Sequence, residues 1–421
     1  MSVTARDAFG VAVPEATIKL YHSSGTSLWE TRTRTDANGE AVVRNAPDDV
    51  FAISLEADAI FGISYEPSKP AENLMEFDVT LHPFASLSPG IGGVAVTSVS
   101  TDARQLTFSA RLYVIESHAE EDAWWWGSID VAPCNSCIEG SGNFTAAYSG
   151  TTLSNELMEP EPVSDPVAIA LLLDQGESVT VNDLEDRRLL AAKYLPTRLD
   201  PGDAMALAAF AADDAGTGQA ALLPTQPVTN FPVENPDFTT DGRSYFAAID
   251  SLATLEGGGS PLFDAVGEMV GFTASAAPLD SRRAVVVVTG GGAIDCGDAA
   301  ECQTAHELLL DQSASTGVAV VAVGRADSGG RFDRKGLGPF AQSENGTVFW
   351  AENARQMPTI LGRVPEVLDG RHTAMDVTIE LESPVAGAFA SGNTVSGNLQ
   401  VIVCPWDCDV LVTVPFALRV P

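Results

Sequence analysis

Three short segments hold the residue types that could do chemistry. Asp174-Gln175-Gly176-Glu177-Ser178 follows the continuous apolar run Val167 to Leu173, Gly257-Gly258-Gly259-Ser260 precedes a helical stretch, and Thr289-Gly290-Gly291-Gly292 closes a second apolar run that begins at Ala284. A continuous apolar run ending in turn residues reads as a buried parallel strand, and ligands of open α/β sheets gather beyond the carboxyl ends of such strands. One carboxylate with several hydroxyls there suits a hard divalent cation, because Mg²⁺ takes a few oxygen ligands and keeps water on the rest of its shell. The glycines would also let backbone N–H groups approach an anion. They lack both the G-x-G-x-x-G spacing and a following Lys-Ser/Thr, which argues against a nucleotide.

The elements that must position these segments alternate. After the Pro-rich acidic stretch Met158-Glu159-Pro160-Glu161-Pro162, strand runs at Val167 to Leu173, Ala204 to Ala211, Ala284 to Thr289, Val318 to Val323 and Thr347 to Trp350 are interleaved with helical stretches. Those stretches are Asp183 to Leu195, Leu262 to Phe272, Thr304 to Ser315 and Ala354 to Val364. Strand and helix in alternation predict a parallel sheet covered on both faces.

Both flanks read as β. Short strands are predicted at Ala12 to Tyr21, Glu40 to Arg44, Phe51 to Glu56 and Glu76 to Leu81, and Asn38-Gly39 between strand-like runs is a strong hairpin signal. Further strands are predicted at Gln105 to Ile115 and Trp125 to Val131, around the acidic loop Glu116 to Asp122, and at Met375 to Leu381, Asn398 to Val403 and Val410 to Val414. Trp124, Trp125 and Trp126 could offer a stacking platform, but consecutive strand residues face opposite sides, so at least one is expected in the core.

The six cysteines form three close pairs: Cys134 with Cys137, Cys296 with Cys302, and Cys404 with Cys408. Such pairs suit short disulfides and an oxidising compartment. The rival is a zinc site joining Cys134 and Cys137 to Cys404 and Cys408, which leaves Cys296 and Cys302 unused. The five histidines (His22, His82, His118, His306, His372) are scattered without nucleophile-elbow or zinc-protease spacing, and His306 is expected on a helix as a surface or half-buried residue. No enzyme is indicated.

The chain of 421 residues carries 57 acidic and 23 basic residues, a net charge of -34, which disfavours nucleic acid and anionic membranes. Hydrophobic residues at 45% and charged ones at 19% place it among globular proteins. No apolar run approaches the roughly 20 residues of a membrane-spanning helix, and Met1-Ser2-Val3 does not open a signal peptide. A targeting segment would therefore have been removed, or the chain is cytosolic. The use of only four lysines (Lys19, Lys69, Lys193, Lys335) is read as the mark of a high-GC, prokaryotic source.

Two resemblances follow. Gly10-x-x-Val13-Pro14-x-Ala16-Thr17-Ile18 with Thr35-Asp36-Ala37-Asn38-Gly39-Glu40 resembles the carboxypeptidase regulatory-like (prealbumin-like) β-sandwich module. Leu171-Leu172-Leu173-Asp174-x-Gly176-x-Ser178, Leu199-Asp200-Pro201-Gly202-Asp203, Ser260-Pro261-Leu262-Phe263-Asp264 and Arg283 through Gly291 together resemble a von Willebrand factor A (VWA) domain. That family binds protein ligands through a metal-ion-dependent adhesion site built from Asp-x-Ser-x-Ser, a Thr and a second Asp. Matched residue by residue, Asp174 is the first Asp, Ser178 the second Ser, and Ser260 stands for the Thr. Gly176 replaces the first Ser and Gly290 the second Asp, so the resemblance implies a degenerate site, with Asp295 as a substitute ligand to test. No cofactor is expected beyond, at most, weakly held Mg²⁺ or Ca²⁺.

The expected organisation is a prealbumin-like module over 1–82, an α/β VWA domain over 163–366, and a second β-sandwich made by 83–162 with 367–421. The expected role is adhesion or protein interaction, secreted or at a cell surface, with a protein or surface polymer as partner. A structural or assembly component that has lost ligand binding is the alternative; a hydrolase with an unrecognised site is a further one. Oligomeric state is not legible.

Overall fold

The computed structural model describes residues 1–7, 12–22, 28–46, 50–57, 60–65, 76–83, 87–115, 125–139, 145–158, 163, 165–176, 179, 183, 187–200, 202–211, 238, 249, 252, 259–290, 299–326, 332–343, 345–404 and 410–421. Period-two alternation builds the first sheet. Val3 and Ala5 of β1 (Ser2–Asp7), Ile18 and Leu20 of β2 (Thr17–His22), Ile53 and Leu55 of β5 (Val50–Ala57), and Phe77 and Val79 of β7 (Glu76–Pro83) all turn into one core. With β3 (Leu28–Arg34), β4 (Glu40–Val42) and β6 (Ile60–Tyr65) the order is β3-β2-β5-β6-β7-β1-β4. The turn at Asn38-Gly39 forms, with Gly39 at φ 75°, but it does not close a ladder between β3 and β4. Thr35 ties the incoming chain to the Val13–Ala16 segment through its hydroxyl and carbonyl, and β4 pairs with β1 instead.

The second sheet is mixed and, among the described residues, holds thirteen strands. Its parallel part runs β14 (Ala204–Phe210), β13 (Val167–Asp174), β15 (Arg282–Thr289), β16 (Ala319–Arg325), β17 (Thr347–Ala351). Every residue of β13 and β14 is buried, as a strand covered on both faces requires. One face packs against α1 (Arg187–Tyr194) and α4 (Met357–Leu368), where Leu189, Ala191, Ile360 and Leu361 meet Ile169, Leu171 and Leu173. The other meets α2 (Leu262–Ala276), through Phe263, Val266 and Met269, and Leu309 of α3 (Ala299–Thr316). Asp183 lies ahead of the first of these helices, and its carboxylate accepts from the backbone N–H groups of Arg187 at 2.8 Å and Arg188 at 2.9 Å.

Beyond β17 the sheet turns antiparallel. β8 (Ser88–Val99) pairs with β17 at Gly92, Ile91 and Gly90, and β9 (Gln105–Ile115), β18 (Ala374–Glu382) and β12 (Thr145–Met158) follow in order. β10 (Trp125–Val131) and β11 (Cys134–Glu139) both pair with β19 (Thr394–Cys404), which also pairs with β20 (Val410–Arg419). Strands before and after the parallel segment therefore share ladders. Their cores merge: Phe108 and Phe416 have ring centroids 5.4 Å apart, and the Trp350 indole donates to the Pro415 carbonyl at 2.9 Å. Among the described residues no helix is long and apolar enough to cross a membrane.

Candidate functional site

Asp174 ends β13 with no exposed surface. Its Oδ1 accepts from the Gly176 backbone N–H at 2.8 Å and from the Ser260 hydroxyl at 2.5 Å, and its Oδ2 accepts from the Thr289 hydroxyl at 2.7 Å. Three separate chain segments thus converge on one carboxylate at the carboxyl edge of the sheet. Burial pushes this carboxyl above the usual range, while the three donors and the nearby Arg188 guanidinium act the other way. On the opposite side, Arg188 is 1% exposed; its Nε donates to the Asp174 carbonyl at 3.2 Å, Nη2 to Gln175 Oε1 at 2.9 Å and Nη1 to Asp183 Oδ2 at 3.1 Å.

The structure brings Asp174 and Ser260 together. Ser178 and Asp295 lie outside the described residues, as do Glu177, Gly257 and Gly258. At Gly176 the lost serine has a steric counterpart: a Cβ there would stand 2.6 Å from Ser260 Oγ and 3.1 Å from Asp174 Oδ1. The Ser260 hydroxyl fills the space a serine at 176 would need. Gly290 is buried just beyond β15 and brings no carboxylate. Sequence reading placed Thr289 at the edge but not as a partner of Asp174, and it missed the Asp183–Arg188–Gln175 cluster. The only signal for that cluster was an acid four residues before a pair of arginines at a helix start.

The described residues of the site do not by themselves make a tight Mg²⁺ or Ca²⁺ site. One carboxylate supplies the anionic charge, both its oxygens already accept hydrogen bonds, a guanidinium lies beside it, and the described residues hold no group of three or more His, Cys, Asp or Glu able to grip a metal.

The other candidates resolve as follows. Cys134 and Cys137 form a disulfide with Cα atoms 5.8 Å apart. Cys302 lies in α3 and Cys404 ends β19, while Cys296 and Cys408 fall outside the described residues. The zinc alternative fails on register. Ala132 bonds Asn398 of β19, whereas Cys404 pairs with Trp125 six positions further on, about 20 Å away along the strand. Trp124 and the acidic loop also fall outside the described residues. His306 is corrected from surface or half-buried to core: it is 6% exposed between Phe263 and Phe340, because α3 turns it toward α2.

No family profile matches the chain, and no curated protein matches it. Solved structures do. Proximal thread matrix protein 1 from the mussel byssus is similar over 53% of this chain and 50% of its own, at 14% identity and a TM-score of 0.34. The pilus adhesin SpaC from Lactobacillus rhamnosus GG, in its open conformation, is similar over 72% of this chain and 50% of its own, at 8% identity and 0.36. The SpRpn10 VWA domain is similar over 49% of this chain and 97% of its own, at 13% identity and 0.33. The chain thus spans about half the length of the first two. At scores this low the fold rests on strand order and register: it is α/β, with a large mixed sheet.

Proposed function

We propose that this chain is a secreted or cell-surface protein-interaction component that binds a protein or surface polymer through a VWA-type domain, residues 163–366, with a degenerate adhesion site. The observation that carries this reading is the buried Asp174, reached by donors from three chain segments at the carboxyl edge of a parallel sheet, with glycine where a second acid would stand. A module over 1–82 and a β unit combining 83–162 with 367–421 would flank it, a division supported by the strand pairings across that gap. The Cys134–Cys137 disulfide supports an oxidising location. A structural role in assembly is favoured by a different feature: the Ser260 and Thr289 hydroxyls already spend their protons on Asp174, which makes the sheet top self-sufficient.

Titration calorimetry with Mg²⁺, Mn²⁺ and Ca²⁺ tests the degenerate site. No saturable heat is expected at micromolar metal. Micromolar binding that disappears in Asp174→Ala would overturn it and return Asp295 and Ser178 to the ligand set.

A further inference from the structure

We propose that a cleft at the amino edge of the parallel sheet binds an acidic peptide segment. The cleft has a volume of about 890 Å³, near the top of the ~300–1,000 Å³ range of small-molecule sites and roomy enough for a short length of chain. One wall is the polar face of β9, β18 and β12; the other is made by the first residues of β15, β16 and β17 and the loops that lead into them. It is a different place from the Asp174 site, since Val167 and Arg282 begin the strands that Asp174 and Thr289 end.

Charge identifies the occupant. Acids outnumber bases 57 to 23 in this chain, so an arginine without a carboxylate is the exception. In the cleft, Arg111 is neutralised by Asp376 through a two-point contact at 2.7 and 2.9 Å, and Glu156 on β12 is the one other acid of the lining, against the two further arginines Arg282 and Arg283. Arg282 and Arg283 are not neutralised: Arg282 Nη1 donates to the Leu368 carbonyl, Arg283 Nη1 to the Ala274 carbonyl at 3.2 Å, and among the described residues neither meets an acid. Nη2 of Arg282 is buried and has no acceptor among the described residues. A guanidinium is costly to leave without anionic partners, and its planar fork suits a carboxylate. A peptide is favoured over an acidic carbohydrate by two features. The lining's aromatic residue, Tyr113, is 8% exposed and offers no open ring face for a sugar. Gly93 and Gly317, at φ 57° and 66°, have nothing within 4 Å of where a Cβ would stand, which leaves the rim open for a ligand's main chain to approach their peptide groups.

The test is fluorescence anisotropy with labelled hexaglutamate at low salt, EDTA present throughout so that no metal at the sheet top contributes, with hexalysine and hexagalacturonate as comparison probes. Hexaglutamate is expected to bind saturably, and binding should weaken as NaCl rises. Arg282→Gln with Arg283→Gln should weaken it by about tenfold or more. Ser154→Glu, which adds charge to the exposed opposite wall and leaves both arginine-to-carbonyl bonds alone, should do the same; Leu308→Glu, an equal charge on the far surface of α3, should not. The proposal is overturned if hexaglutamate does not bind, if neither cleft variant weakens it, or if hexalysine or hexagalacturonate binds as tightly.

Discussion

The ring of Phe349 lies against the α-carbon of Gly90: a Cβ there would stand 2.3 Å from its Cδ1. Two residues on, a Cβ at Gly92 would stand 2.6 Å from Thr347 Oγ1. The parallel and antiparallel parts of the sheet are therefore joined where Gly90 and Gly92 of β8 leave room for the side chains of Phe349 and Thr347. Gly90→Ala should lower unfolding free energy by about 1–3 kcal/mol, the usual range for overpacking, and Phe349→Leu in that background should recover part of it. Urea unfolding of the single and double variants checks this; an unshifted midpoint for Gly90→Ala would contradict the close approach.

Gly176→Ser is not expected to restore a cation site by itself. Its Cβ would meet Ser260 Oγ at 2.6 Å and the Gly259 carbonyl at 3.1 Å, so the Ser260 bond to Asp174 must give way. We expect a loss of about 1–3 kcal/mol and no stabilisation by added MgCl₂. A melting temperature that rises with MgCl₂ in the variant alone would show that Ser260 yields and a site re-forms.

Burial holds the His306 imidazole down to about 4, with Arg419 nearby adding to the effect. The unfolded chain, with histidine near 6.5, takes up the proton first as pH falls. The stabilising contribution is thus complete above pH 6.5 and is lost on the way down to pH 4, by up to about 3 kcal/mol. His306→Phe, between Phe263 and Phe340, should lose stability less steeply over that interval. Parallel pH curves for the two proteins would rule the histidine out.

The net charge of -34 should make the fold self-repelling at low ionic strength. Melting temperature is expected to climb between about 20 and 300 mM NaCl as the Debye length shrinks. A flat curve would mean that the carboxylates are already compensated.

What the sequence disclosed depended on how local the cause was. β13, β15 and β16 were legible because burial on both faces demands unbroken apolar runs, and Asp174 was legible because it interrupts one at its carboxyl end. β8 was not: Ser88-Pro89-Gly90-Ile91-Gly92-Gly93 is rich in turn-forming residues, and Phe349 and Thr347, distant in sequence, are what crowd Gly90 and Gly92. β12 was missed for the opposite reason, since most of its length is exposed and shows little apolar alternation. In the site, Ser260 and Asp174 could be paired by residue type, but a hydroxyl replacing a side chain absent from Gly176 is visible only in three dimensions.

Met158 pairs with Ala374, so the chain leaves β12 and returns on its neighbour β18 after more than two hundred residues. For an unfolded loop of roughly 200 residues that closure costs about 5 kcal/mol of chain entropy. The cost falls once the intervening strands and helices have drawn their own two ends together, so loop-closure entropy favours a β12–β18 zipper that closes after the parallel segment has formed. The same adjacency makes the junction a natural splice point, where a two-residue Asn-Gly turn could replace the whole insertion and leave a continuous hairpin.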